Sequence, residues 1–373
     1  MGDYITVNKI KNKENNHFIP YSISNKWGFI PQEKQFGEGN TYSKTNKATN
    51  YIVEPNTFAY NPARINVGSI AYQNNQFPVI VSSLYEIFKA KKNLNDEFLM
   101  NWFKTEKFTR QIQKLQEGGV RQYFFIDKMQ ESRITIPFIS EQEEISKTLN
   151  QISNLIKLQQ RKTEQLKLLK KAMLQKGFTN KSAPTLRFKG FSKAWTEYPL
   201  GNLGKACSGY GFPNSEQGGN KGIPFYKVSD MNLAGNEDEM IYANNYVTDA
   251  QIDRNNWKPI VDVPAIFFAK VGAAVLLNRK RLCKRPFLLD NNTMAYSLNK
   301  NILSTQFTKS LFETINLPSF IQVGALPSYN TNDIESIKVK IPKIDEQEKI
   351  GILLKKIERL ITVNCNNNLN TFV

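Results

Sequence analysis

Short apolar runs separated by polar turns fill most of the chain, and two stretches switch to helical spacing. Ile52-Val53, Thr57 to Tyr60, Gly68 to Tyr72 and Val79 to Ser83 predict strands, and Asp96 to Lys114 a helix. The same order returns in Pro224 to Val228, Ala265 to Val271 and Ala273 to Leu277, followed by a helix from Ser304 to Ile315. Ile136-Pro-Phe-Ile-Ser-Glu-Gln-Glu-Glu-Ile145 reappears 205 residues later as Ile341-Pro-Lys-Ile-Asp-Glu-Gln-Glu-Lys-Ile350, with seven of ten positions identical. Upstream, at an offset of 204, Ile19-Pro20-Tyr21 aligns with Ile223-Pro224-Phe225, Gly68 with Gly272, Phe103 with Phe307 and Phe108 with Phe312. One α+β unit is used twice.

Each unit ends in a sharp proline and a helix. Ser140 and Asp345 are placed to cap the helices, with Glu143 and Glu348 completing capping boxes. Ile145, Ile152, Leu166 and Met173 recur at sevens, with Leu155 and Leu169 between them; Ile350, Leu353, Ile357 and Leu360 repeat the pattern. A helix from Glu141 to Lys176 would measure about 54 Å. This favours long spacer helices that pair as an antiparallel coiled coil over an ordinary amphipathic surface helix. The chain then divides into a first globular domain at 1–139, a first spacer helix at 140–180, a second globular domain at 181–342 and a second, shorter spacer helix at 343–373. Thr362 to Val373 is Asn-rich and does not continue the seam, and Leu186 to Lys205 has no counterpart in the first unit. If the repeats close around a pseudo-twofold axis, both termini fall at one seam.

Charge adds a partner. Fifty Lys and Arg against 33 Asp and Glu leave a formal charge of +17, which favours a polyanion, nucleic acid first. An apolar fraction of 40% places that charge on folded domains rather than on a disordered tail. Cys207, Cys283 and Cys365 stand far apart and His17 is the single histidine, so neither a disulfide framework nor a zinc site is expected. Any histidine-dependent nucleophilic mechanism would have to run through His17, in a polar stretch where a solvated or structural role fits better. The opening residues match a loose myristoylation pattern through Thr6 but lack the apolar core of a signal peptide. The longest apolar run, Pro264 to Leu277, carries Lys270 and is too short to span a bilayer, so a cytoplasmic protein without membrane association is expected.

Arg and Lys match guanine N7 and O6, and Asn and Gln match adenine N6 and N7. The first unit offers Lys44, Lys47, Tyr60, Asn61, Arg64, Asn66, Gln73 and Asn75 as DNA-binding candidates. The second offers Lys227, Ser229, Asp230, Asn232, Lys270, Arg279, Lys280, Arg281, Lys284 and Arg285. Phosphate contact or simple solvation is the alternative for each. The basic stretch from Lys157 to Lys176 fits either a phosphate-tracking helix or a solvated face.

The repeated IPxIxEQExI segments with their heptads, LRFKGFSKAWTEYPLGNLG from Leu186 to Gly204, IPFYKVSDMN from Ile223 to Asn232 and FAYNPARINVGSIAY from Phe58 to Tyr72 carry a resemblance. Together they resemble the specificity subunit of type I restriction-modification systems, over nearly the whole chain. The resemblance implies that each recognition domain reads one half of a split target in double-stranded DNA, while the paired helices fix the gap. It also implies two methyltransferase subunits using S-adenosylmethionine and ATP-driven, magnesium-dependent restriction/translocase subunits, with no cofactor or metal held by this chain. No catalytic residue is expected: Asn61-Pro62-Ala63 and Leu326-Pro-Ser-Tyr329 miss the adenine-methyltransferase motif, and Gly37 to Thr45 lacks the P-loop glycine before Lys44. Both ends are trimmed relative to the family plan. A charge-driven nucleic-acid scaffold and the recognition part of a fused restriction-methylation enzyme are the alternatives.

Overall fold

The computed structural model describes residues 1–37, 47–119, 121–179, 183–321 and 327–369, with side chains as far as Cys365. It divides into two compact units, Met1–Lys157 and Leu158–Val373.

In the first unit, strands β1 (Ile5–Val7), β2 (Thr57–Tyr60), β3 (Ile70–Gln73) and β4 (Glu86–Ala90) form an antiparallel sheet in the order β1-β4-β2-β3. In the second, β5 (Gly204–Ser208), β6 (Ala265–Ala269), β7 (Lys280–Cys283) and β8 (Thr293–Leu298) repeat that order as β5-β8-β6-β7. Successive side chains on a strand point to opposite faces, and here both faces are covered. Phe58, Tyr60 and Phe88 pack with Phe103, Phe108 and Phe124, whereas Ala59, Ala71 and Ile87 meet Val53, Val79 and Val81. The second unit does the same with Ile266 and Phe268 against Phe307 and Phe312, and with Phe267 and Ala295 against Tyr226 and Phe287. The Ile19-Pro20-Tyr21 and Ile223-Pro224-Phe225 segments both make a parallel bridge, one residue out of the expected register: Pro20 bridges Ile80, whereas Phe225 rather than Pro224 pairs with Leu288.

Other sequence expectations need correction. Ala273–Leu277 is a 3-10 turn rather than a strand, bracketed by Gly272 at φ +80° and Asn278 at φ +50°. The partner of Gly68 is accordingly Asn278: each takes the left-handed conformation after a 3-10 turn and before the third strand of its sheet. The Asp96 to Lys114 stretch is two helices, α1 (Asp96–Trp102) and α2 (Glu106–Leu115), because Thr105 caps a new start by accepting from Phe108 N. The helix expected from Ser304 to Ile315 runs Thr305–Thr314, one residue after its cap at Ser304, the position that Asn95 holds before α1.

The long helices α3 (Ile139–Gly177) and α5 (Ile344–Leu369) begin slightly before the expected caps. Phe138 and Lys343 accept the first intrahelical bonds, from Gln142 N and Gln347 N, so Ser140 and Asp345 lie inside the first turn. Within the second unit the later half of α3 runs antiparallel to α5. Met173 and Phe178 share an apolar cleft of about 160 Å3 with Ile350, Leu353 and Leu354, while Lys170, a turn earlier, reaches Glu358, a turn later, at 2.5 Å. Ile145 and Leu166 are half-buried, whereas Ile152, Leu155, Leu169 and Leu360 are exposed, so the heptad residues do not form one continuous dry seam. Ile357 is buried on α5, which packs closely on α4 (Thr305–Thr314). Gly351 permits that approach, since a Cβ there would lie 2.8 Å from Phe307 N.

Charge fastens the helices to the second unit. Lys170 bridges Glu313 of α4 at 2.7 Å and Glu358 of α5; Lys309 joins Glu358 at 2.8 Å and pairs with Asp238. Arg187, from the LRFKGF segment, grips Glu346 with two bonds of 2.7 and 2.8 Å and donates to Lys193 O.

Candidate nucleic-acid interface

The turn between the second and third strands of each sheet carries the exposed polar chemistry. In the first unit, Asn61 N donates to Ser69 O at 3.0 Å, and Asn61 Oδ1 accepts from Ala63 N. These bonds fold the turn so that Arg64 and Asn66 project into solvent while Ile65 is buried beneath. They stand on the wall of an open groove of about 1040 Å3 whose other lining includes Leu84, Arg121, Gln122, Tyr123 and Phe125. These last residues escaped the sequence reading; a basic and an amide residue between glycines and aromatics, in GGVRQYFF, were the available signal.

The remaining candidates of this unit scatter. Tyr60 is fully buried, and burial, reinforced by Glu86, holds its phenol neutral. Gln73 is also fully buried; it donates to Phe77 O and accepts from Asn75 N, which makes this pair the brace of a turn. Because Thr57 pairs with Gln73 and Tyr60 with Ile70, Gln73 and Asn75 sit at the opposite end of the strand pair from Arg64. Lys47 is half-buried, and its backbone N–H donates to Asn15 Oδ1. Lys44 lies outside the described residues.

In the second unit, most of the named cations already have partners. Lys270 and Arg279 flank the matching turn between β6 and β7; Lys270 reaches Ser208 Oγ at 3.3 Å and Arg279 reaches Asn232 Oδ1 at 2.7 Å. Lys227 donates to Gln217 at 3.1 Å and lies 5.9 Å from the Phe212 ring centre. Asp230 is fully buried and organises its loop by accepting from Lys227 N and from Asn244. Lys280 points inward, where its ammonium donates to Asn278 Oδ1 and Ile315 O, each at 2.7 Å. Desolvation pushes its pKa down to about 8. Arg281 donates to Asn236 O and Lys280 O, and burial, with Arg279 nearby, lowers its pKa. Lys284 pairs with Glu239, and with Arg285 it occupies the far end of the strand pair. Ser229, Asn232 and Arg285 remain exposed. Tyr60, Gln73, Asp230 and Lys280 therefore serve the interior of their units and cannot reach a base edge.

Among the described residues no cluster of three or more His, Cys, Asp or Glu is arranged to hold a metal ion, and no helix is long and apolar enough to cross a membrane. The family described as the type I restriction modification DNA specificity domain matches residues 1–168 and again residues 192–371. The putative type I restriction enzyme MjaX specificity subunit of Methanocaldococcus jannaschii is 26% identical over 289 residues, covering 71% of this chain and 61% of that protein. The type I restriction enzyme MjaVIII specificity subunit of the same organism is 23% identical over 316 residues, covering 76% of this chain and 68% of that protein. The chain thus spans about three-fifths of the length of the first of these relatives. In fold it is similar to the HsdS subunit from Thermoanaerobacter tengcongensis, with a TM-score of 0.50 at 14% identity over 98% of this chain and 90% of that one. It is also similar to the type I restriction-modification S subunit from M. genitalium, with a TM-score of 0.53 at 13% identity over 99% and 91%. Matched twice and over most of its length, the chain belongs to the type I restriction modification DNA specificity domain family.

Proposed function

We propose that this chain is the non-catalytic DNA-reading subunit of a type I restriction-modification complex, each unit reading one half of a split duplex target. The observation that carries this reading is the double occurrence of the specificity domain in one chain. Two copies of one sheet, each with a polar turn between its second and third strands, support two separate readings. Arg64 and Asn66 at the first turn, and Arg279 at the second with Asn232 bonded to it from the Val228–Asn232 3-10 turn, have the donors and acceptors that distinguish guanine from adenine in the major groove. The remaining positive charge contributes phosphate contacts that fix register without adding sequence information.

In this reading the long helix α3 sets the gap between half-sites, and the chain positions two methyltransferase subunits and the restriction/translocase subunits. S-adenosylmethionine, ATP and magnesium are held by those partners. The test is adenine-methylation mapping, by long-read sequencing, of DNA from cells expressing the chain with its neighbouring methyltransferase. A split motif methylated on both strands is the expected result. Absence of methylation, beside an active control subunit, overturns the reading in favour of a scaffold that binds by charge alone.

A further inference from the structure

We propose that the turn closed by Glu117 and Tyr123 in the first unit is a base-reading hairpin, with Arg121 and Gln122 contacting base edges of the half-site which that unit recognises. The inference rests on the DNA-reading function above and assigns it to residues outside the strand turns.

Four observations converge on this turn. Its base is rigid: Glu117 and Tyr123 exchange backbone hydrogen bonds of 2.8 and 2.7 Å. Gly118 holds φ +116°, and a Cβ there would fall 2.2 Å from Arg121 O, so the turn closes only with glycine at this position. Phe124 then plugs the aromatic core, 6.0 Å from Phe108, and its N–H donates at 3.0 Å to Pro62 O. That bond fixes the hairpin to the turn carrying Arg64 and Asn66. Finally, the Tyr123 and Phe125 rings stack at 5.4 Å and 4°, presenting a flat apolar edge with Phe125 41% exposed.

Arg121 and Gln122 are exposed on this base, and neither side chain, nor that of Arg64 or Asn66, bonds to a described residue. This contrasts with the second unit, where Lys227, Lys270 and Arg279 are engaged by neighbouring side chains. A preorganised support with unengaged planar donors lowers the ordering cost of a bidentate contact. Arg121 suits guanine O6 and N7, and Gln122 suits adenine N6 and N7. Leu84, 74% exposed on the same groove, offers an apolar contact for a thymine methyl. At the 205-residue offset of the repeat, Leu326 and Pro327 align in sequence with Arg121 and Gln122, so this chemistry belongs to one half-site alone.

The test is methylome mapping of cells expressing the full chain with its methyltransferase, comparing Arg121→Ala, Gln122→Ala and Arg121→Lys with the parent. The expected result is loss of discrimination by about 10- to 100-fold at a guanine position for Arg121→Ala and at an adenine position for Gln122→Ala. Both changes fall in the same half-site, and the unchanged other half reports an intact fold. An unaltered motif overturns the inference. So does a uniform loss of binding across all sequences with a shallower salt dependence, which would make these residues phosphate contacts. If the parent chain yields no motif, the DNA-reading function itself fails, an outcome distinct from a parent motif that the variants leave unchanged.

Discussion

Gln142 and Gln347 make the same three hydrogen bonds in the two units. Gln142 donates to Asn93 O and Pro137 O and accepts from Asn95 N; Gln347 donates to Ile302 O and Pro342 O and accepts from Ser304 N. Both side chains are fully buried. Each ties the first turn of a long helix to the residues that open α1 or α4, which explains why this glutamine recurs inside the repeated segment. Gln347→Leu removes every one of these bonds and leaves two carbonyls and an amide unpaired in the interior. It is expected to destabilise the second unit by about 3 kcal/mol. Urea denaturation measures this, and a loss under about 0.5 kcal/mol, the size of an ordinary surface substitution, would show that the bonds are dispensable.

The charge cluster on α4 and α5 gives a second expectation. Burial alone would push the Glu358 carboxyl up, but Lys309 and Lys170 outweigh it and hold it below the usual carboxylate range. Glu313 goes the other way, because burial and the neighbouring Glu358 exceed the pull of the lysines. Glu358→Gln leaves Lys309, which is 4% exposed, short of its central partner. Breaking such a pair costs about 3 to 5 kcal/mol, and Glu313→Gln, removing the carboxylate that burial already disfavours, should cost less. Equal losses in the two variants, measured by thermal unfolding, would refute this ranking.

A buried lysine makes stability depend on pH. Lys280 has its pKa pushed from the ordinary 10.5 to about 8 by desolvation. Between those values the unfolded chain binds a proton that the folded chain does not, so raising the pH favours folding. The gain is about 1.4 kcal/mol per pH unit and about 3 kcal/mol across the window. Lys280→Met abolishes this gain, whatever constant offset it adds by losing the bonds to Asn278 and Ile315. Urea midpoints of parent and variant at pH 8, 9 and 10 should therefore diverge in favour of the parent. Parallel pH profiles would mean that Lys280 is not buried in its charged-disfavouring site.

The duplication and the strand-rich units were legible in the sequence because seven of ten identical positions and short apolar runs bounded by polar turns survive averaging over local detail. Register was harder to read. Gly68 and Gly272 align by identity, yet the left-handed position after the 3-10 turn is filled by Asn278, since asparagine tolerates that conformation as well. The site was the least legible part. Tyr60, Gln73, Asp230 and Lys280 have the same side-chain chemistry whether they face a base or the core, and only burial separates the two. Arg121 and Gln122 were missed for the converse reason: their exposure depends on Gly118 and on the Phe124 plug, a tertiary relationship with no periodic trace.

The first half of α3 carries an apolar stripe in solvent: Leu149, Ile152 and Leu155 are 41%, 44% and 66% exposed. Positions three residues apart lie on one side of a helix, so the three side chains form a continuous strip rather than scattered exposure. On the proposed function, this strip is where a methyltransferase subunit would bury its own apolar surface. The chain made alone should then self-associate, since leaving the strip wet favours contact with another copy. Ile152→Lys with Leu155→Lys is expected to keep the isolated chain monodisperse in light scattering without lowering its melting temperature, because neither side chain supports a core. The same pair should reduce co-purification with the methyltransferase and lower methylation at both half-sites together. A variant that stays monodisperse yet methylates normally would place the methyltransferase contact elsewhere on the chain.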